Sequence, residues 1–461
     1  MKNHKIKIIG MLILLMVVIS SCKKWMDPAY NQDPSKPTNV SLALLLPGSQ
    51  TGLGYAVGGD LKYASSMWMQ QLAGGANQPL AYDRYTFTQS DVDNVWKYAM
   101  YAAVMVDMKT MMDKAKSEGS PWYGGIAKIE MAYSIGCITD LFNDAPYSEA
   151  FQGDDNLTPK FDTQEQIYDA IFALLTSAIT DLQQPSTANL HFPGGEDFVY
   201  GGDPDLWIKA AYSLEARYYL HKSKIDGATA YTNALIALAN GFTSNSDDFQ
   251  VMCGNPSNEN NPMYQFMVND RPGDIVIGYY LDSTLQVTGD PRFDQLIDSS
   301  GGGTGSHAGT ADGYEMAGPF YASANSPVPF MSYSELKFIE AEAKFQTSDL
   351  PGAAIAYNDA VLASLDKLGV TDPTFVTNYA SETGGTITLA KIINQKYIAL
   401  CYQLEVFNDW RRTGYPVLHP AANTVYSTIP RRYPYPTSEV LYNSSNVPTA
   451  TIQSRVWWDK L

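Results

Sequence analysis

Apolar residues return every three to four positions in stretch after stretch of this chain, a period that fits one face of an α-helix and not a strand. Val92, Val95, Trp96, Ala99, Ala103 and Val106 form one such stripe, with Ser90 or Asp91 placed to cap it. Thr163 and Gln166 make a capping box ahead of Ile167, Ile171, Leu174, Leu175, Ala178 and Leu182. Asp203-Pro204 supplies an N-cap followed by proline in the first turn, launching Trp207, Ala210, Ala211, Leu214, Tyr218 and His221. Ser332 and Glu335 open a further helix reaching Phe345, and Leu389, Ile392, Ile393, Tyr397, Leu400, Leu404 and Phe407 form the last long stripe. Short turns such as Thr347 to Pro351 join neighbours. After that turn Ala353, Tyr357 and Ala360 keep the alanine–aromatic–alanine spacing of the second helix of a tetratricopeptide unit, and Phe338, Ala341 and Phe345 line the helix before it. Other pairs follow the pattern loosely. The expected fold is mainly α, made of degenerate tetratricopeptide-like helix pairs.

Two stretches break the helical period. From about 253 to 328 Asn, Pro, Gly and Asp dominate, with short β-like pieces such as Ile275 to Tyr280, which reads as a loop-rich, partly β insertion. Insertions of that length in a compact domain usually carry function. Ala73 to Gln89 reads as a second irregular stretch.

The N-terminus carries Lys2, Lys5 and Lys7, then an apolar run from Ile8 to Ile19 interrupted by Gly10. Its dozen or so residues fall short of the roughly 20 needed to span a bilayer and fit a secretory signal. Ser20-Ser21-Cys22 follows, similar to a bacterial lipobox, so 1–21 reads as a lipoprotein signal peptide and Cys22 as the lipid attachment site. The proline-bearing stretch 22–38 reads as a tether, and 39–461 as a single domain. Cys137, Cys253 and Cys401 are too few and too far apart for a disulfide framework; Cys137 and Cys401 lie in apolar helical contexts and read as core.

With 48 Asp and Glu against 31 Lys and Arg, the chain stands at −17 and repels phosphate backbones, which argues against nucleic-acid binding. Five histidines without ligand spacing predict no metal site, and no cofactor is expected. No H-E-x-x-H, P-loop, G-x-S-x-G or C-x-x-C motif is present, so nothing points to an enzyme. Ser299 to Gly305 has the composition of a phosphate loop without its Lys-Ser/Thr ending and reads as a surface loop.

Aromatic usage is the positive signal: 31 Tyr, 17 Phe and 8 Trp. Tyrosine offers a face for a sugar ring and a hydroxyl for its oxygens. Aromatics on helix faces read as core, whereas those in the two irregular stretches have no such assignment. Candidate ligand residues are therefore Asn77, Tyr82, Asp83, Arg84 and Tyr85 in the first stretch, and Tyr264 and Tyr314 in the second. The two stretches are expected to lie side by side.

Several segments, in this order, carry a family resemblance: the lipobox at Cys22, Asp140 to Ala150 ending in Pro-Tyr-Ser-Glu-Ala, Asp290-Pro291-Arg292-Phe293, Ser334 to Ala343, Phe407 to Pro416, and Ile429 to Pro436. Together they resemble the SusD/RagB family of nutrient-binding outer-membrane lipoproteins. The resemblance implies a non-catalytic, cell-surface protein that captures glycan and delivers it to a SusC-like TonB-dependent transporter. Three alternatives stay open: a peptide-binding member of the same family, a tetratricopeptide-type scaffold, and a secreted glycoside hydrolase.

Overall fold

The computed structural model describes residues 40–460. The expected signal peptide, Cys22 and the whole 22–38 tether lie outside the described residues.

The body is built from antiparallel helix pairs that lean on one another in chain order. Helix Pro121–Phe142 packs on Gln164–Leu182, which meets Pro204–His221; that helix pairs with Ala228–Leu238, which in turn abuts Tyr333–Gln346. The last pair, Tyr333–Gln346 and Leu350–Lys367, is the tetratricopeptide-like unit, with Leu389–Ala399 against it. Ala341, Ala353, Tyr357 and Ala360 are all buried there, and the Phe338 and Tyr357 rings meet edge to face at 6.2 Å. Small residues let the helices approach while the rings fill the groove. This unit has its own apolar cluster, and one larger core runs beneath the rest.

The caps form largely as the sequence indicates. Thr163 and Gln166 make the reciprocal capping box, Asp203 accepts from the backbone of Asp205 and Leu206, and Ser332 accepts from Glu335 N at 3.2 Å. The first stripe differs from expectation. Residues 94–105 form a π-helix, continuing as the α-helix Val106–Glu118. Hydrogen bonds closing on i→i+5 rotate the buried face away from an α-helical period. Met100, Val104 and Met105 are buried in consequence, whereas Ala103 and Val106 point to solvent. The final stripe also divides, at Tyr402 with φ 59°, into Leu389–Ala399 and Glu405–Thr413.

The supposedly irregular stretches hold more structure than their composition suggests. In 73–89 the chain makes a strand, Leu72–Gly74, and a helix, Asn77–Asp83. Gly74 permits the turn between them, because a Cβ there would strike the backbone of Pro79 and Leu80. The insertion contains the helix Tyr279–Thr288 and a short π-helix, Gln265–Asp270. Three two-stranded antiparallel ladders tie these parts together. Leu72–Gly74 pairs with Ile275–Ile277, so the early stretch and the insertion are stitched side by side as expected.

A buried ionic network crosses the helical body. Arg217 donates in a bidentate fork to Glu335, both bonds 2.6 Å. Arg412 bridges Glu342 and Asp409, and Lys396 pairs with Asp409 at 2.8 Å. His221 lies between Asp140 and Glu405; burial opposes its charge, yet the two carboxylates prevail and hold the imidazole up at about 9. Cys137 and Cys401 are buried core residues.

Candidate functional site

Residues of both π-helical segments line one cleft. One wall is the helix Leu42–Gly58 and the start of Asp60–Trp68; the other is Asn77–Asp83 with the 262–275 part of the insertion. The cleft has two lobes, of about 480 and 350 Å³, which share Asp60, Tyr63, Asn94 and Phe266. That size suits a small organic ligand. A separate hollow of about 30 Å³ beside Lys62, Cys137 and Arg217 is too small for a sugar and suits a water molecule.

Aromatic rings line both lobes of the cleft. Tyr55 and Tyr98 stand at its rim, 60% and 59% exposed although both lie on helical segments. Tyr63 and Phe266 sit deeper, ring centroids 5.3 Å apart and tilted by 39°. Tyr82 closes the far lobe, its ring edge-on to Phe87 at 4.9 Å. Between the rings lie hydrogen-bonding groups: Gln78, Asp91, Asn94 and Gln265. The Tyr82 hydroxyl donates to Asp91 Oδ1 at 3.2 Å, and burial followed by that carboxylate holds the phenol far above its ordinary pKa. The Tyr63 hydroxyl, buried on a residue only 4% exposed, has no hydrogen-bond partner among the described residues. Such an orphan invites a partner from outside the protein.

Of the residues singled out in the sequence, Tyr82 lines the cleft. Asn77, Asp83, Arg84 and Tyr85 are instead engaged in fixing the segment. Asn77 donates to Asp274 Oδ1 at 2.7 Å, Arg84 donates to Gly309 O at 2.8 Å, and Gly309 N donates to Asp83 Oδ2 at 2.6 Å. Burial pushes the Asp83 carboxyl up to about 7, opposed by the amides of Gly309 and Gly74. The Tyr85 hydroxyl accepts from Ala421 N at 2.8 Å, and its ring is buried. Tyr264 is half-buried in the short helix preceding Gln265, outside the lining, and Tyr314 is exposed in the insertion, also outside it. Tyr55, Tyr63, Tyr98 and Phe266 were not legible. The first three lie in helices, where aromatics ordinarily mean core, and Phe266 has no neighbour pattern of its own.

No group of three or more His, Cys, Asp or Glu side chains able to hold a metal occurs among the described residues. No described helix is long and apolar enough to cross a membrane.

Solved structures share this architecture. A SusD/RagB family protein from Bacteroides thetaiotaomicron is 24% identical, aligned over 91% of this chain and 99% of that one, TM-score 0.72. A chitin-binding SusD homolog from Flavobacterium johnsoniae is 22% identical over 91% and 97% of the two chains, TM-score 0.73. A Bacteroidetes SusD-like protein reaches a TM-score of 0.77 at 20% identity, over 92% and 100% of the chains. No curated protein sequence matches the chain. A family model described as starch-binding and associating with the outer membrane matches residues 34–436, and the chain accordingly belongs to the SusD-like family.

Proposed function

We propose that this protein is a non-catalytic glycan receptor, anchored to the outer membrane through lipid on Cys22 and passing its ligand to a SusC-like TonB-dependent transporter. The observation that carries the binding role is the cleft itself: six rings, Tyr55, Tyr63, Tyr82, Phe87, Tyr98 and Phe266, interleaved with amides and carboxylates. Sugars present C–H faces to rings and hydroxyls to polar groups, and this lining supplies both. The description of the family as starch-binding, and the chitin-binding relative, support carbohydrate as the ligand class. Asn77, Asp83, Arg84 and Tyr85 then serve as supports for Tyr82, with Tyr264 and Tyr314 peripheral to the main contact surface.

Affinity electrophoresis through starch, chitin oligosaccharides and other neutral glycans tests this reading, followed by calorimetry on whichever is retained. Tyr82→Ala, Tyr98→Ala and Phe266→Ala should each weaken binding by about 1–3 kcal/mol, the usual cost of truncating an interfacial anchor. Tyr314→Ala should bind like the parent. If Tyr314→Ala abolishes binding while the three cleft variants keep parental affinity, the cleft is not the site. Release of reducing ends from a bound glycan, in proportion to protein, would instead show a hydrolase.

The anchor is tested separately. Cys22→Ala in the full chain should leave an unprocessed or soluble protein with no outer-membrane fraction after a high-salt wash. Retention of the variant in that fraction would exclude lipid on Cys22 as the anchor.

A further inference from the structure

We infer that the cleft ranks glycans by charge, holding amine-bearing chains more tightly than neutral ones and turning polyanionic ones away. This rests on the glycan reading above and adds the class of sugar. The lining charges are unbalanced: Asp60, Asp91 and Asp270 face one lining cation, Arg271. Arg271 is already committed. Its guanidinium is ion-paired with Asp274, donates to Gln78 Oε1 at 3.2 Å, and lies 5.2 Å from the Phe266 ring centroid. The lining π-helix adds Lys97, whose ammonium lies 5.0 Å from the ring centroid of its neighbour Tyr98. With Asp274 and Lys97 included, four carboxylates stand against two cations, on a chain whose net charge is −17.

The carboxylates are not equally engaged. Asp91 accepts from Tyr82, from Thr88 N and from the Thr88 hydroxyl. Asp60 and Asp270 are exposed, and neither forms a salt bridge among the described residues, though desolvation raises the pKa of the Asp60 carboxyl and the nearby Arg271 guanidinium opposes that rise. They are therefore available to an ammonium group on the ligand, and they raise the energy of a uronate or sulfate brought to the same place. The unpartnered Tyr63 hydroxyl lies near Asp60, on a residue that lines both lobes, and a sugar substituent that reaches it would complete its bonding. It marks the cleft as a place where a polar ligand completes the bonding, which a solvated acidic patch alone would not.

Matched probes separate charge from sugar identity. Glucosamine hexamer is compared with N-acetylglucosamine hexamer, and soluble starch with carboxymethyl starch, at 20 mM and at 300 mM salt. At low salt the amine-bearing hexamer should bind about three- to tenfold more tightly than its acetylated partner, the range expected of a few exposed charge pairs. Carboxymethyl starch should bind at least threefold more weakly than starch. Both ratios should shrink toward one at high salt. Asp60→Asn combined with Asp270→Asn should bring the amine preference below about twofold. The ranking is overturned if carboxymethyl starch binds as well as starch, if the two hexamers bind equally at low salt, or if the double variant keeps the full preference. Any of these with neutral glycan still bound leaves the receptor reading intact. Loss of all four probes from folded protein would remove both.

Discussion

Replacing Arg412 by alanine is expected to lower the unfolding free energy by about 3–5 kcal/mol, a large fraction of what holds a domain together. The guanidinium is 5% exposed as a residue and satisfies two carboxylates at once, Glu342 at 2.6 Å and Asp409 at 2.8 Å. Both acids are themselves buried, and Lys396 can neutralise only one of them, through Asp409. Alanine therefore leaves Glu342 as a charge in an apolar interior, which must either take up a proton or draw in water. Removing the charge as well as its partner should cost far less. Arg412→Met with Glu342→Leu replaces an ion pair by apolar volume, an exchange that is often neutral. Urea unfolding of the three proteins measures this: the midpoint should fall steeply for Arg412→Ala and recover most of the way in the double variant. Equal loss in both would show that the pair acts through something other than charge compensation.

That network explains why the family resemblance was readable and the site was not. Glu335 and Glu342 come from the segment 334–343, Asp409 and Arg412 from 407–416, and Asp140 from the segment that ends at Ala150. Arg292, fully buried, forks onto Asp290 and also donates to Gln395 Oε1 at 2.7 Å. Those recognisable words of the sequence spell out buried ion pairs, some within one segment and others between helices, where a single wrong residue strands a charge. They constrain the chain tightly and locally. The cleft obeys no comparable rule: its rings come from three helical segments, a short helix and a loop-rich insertion, brought together by the ladder between Leu72–Gly74 and Ile275–Ile277 and by contacts such as Asn77 with Asp274. Tyr82 could be picked out because it lies where no α-helical stripe accounts for it. Tyr98 could not, because it lies in a helical stretch, where aromatics ordinarily mean core, although it sits off the apolar stripe of 92–106 and its ring is exposed. The nearness of the two irregular stretches was inferable from chemistry; the strand pairing that produces it involves three residues on each side and leaves too short a signature to read.

Trp68 is where the core and the cleft meet, and Trp68→Ala should damage both. Its indole is fully buried, edge-on to Phe87 at 5.6 Å and to Tyr433 at 5.3 Å, and tilted steeply against Phe407 at 5.6 Å. Its Nε1 donates to Tyr82 O at 3.1 Å, so one side chain fixes the backbone of a ligand-facing residue and supports Phe87, which lines the same lobe. Truncation opens a cavity the rigid neighbours cannot close and removes the side-chain bond to the Tyr82 carbonyl, which keeps its backbone partner, Tyr85 N, at 3.0 Å, an expected loss of about 3–5 kcal/mol in stability. Trp207 provides the comparison. It is equally buried, its Nε1 donates to Asp197 Oδ2 at 2.7 Å, and it packs on Phe249, on surfaces that do not line the cleft. Trp207→Ala should destabilise by a similar amount. Affinity for the retained glycan, measured at low temperature where both variants stay folded, should then part the two: about tenfold or more weaker in Trp68→Ala, within about twofold of the parent in Trp207→Ala. Trp68→Phe, which keeps a ring against Phe87 and Tyr433 but loses the hydrogen bond to Tyr82, should fall between. Were Trp207→Ala to weaken binding as much as Trp68→Ala at equal stability, the support running from Trp68 through Tyr82 to the ligand would not exist, and the binding surface would lie on the other side of the helical body.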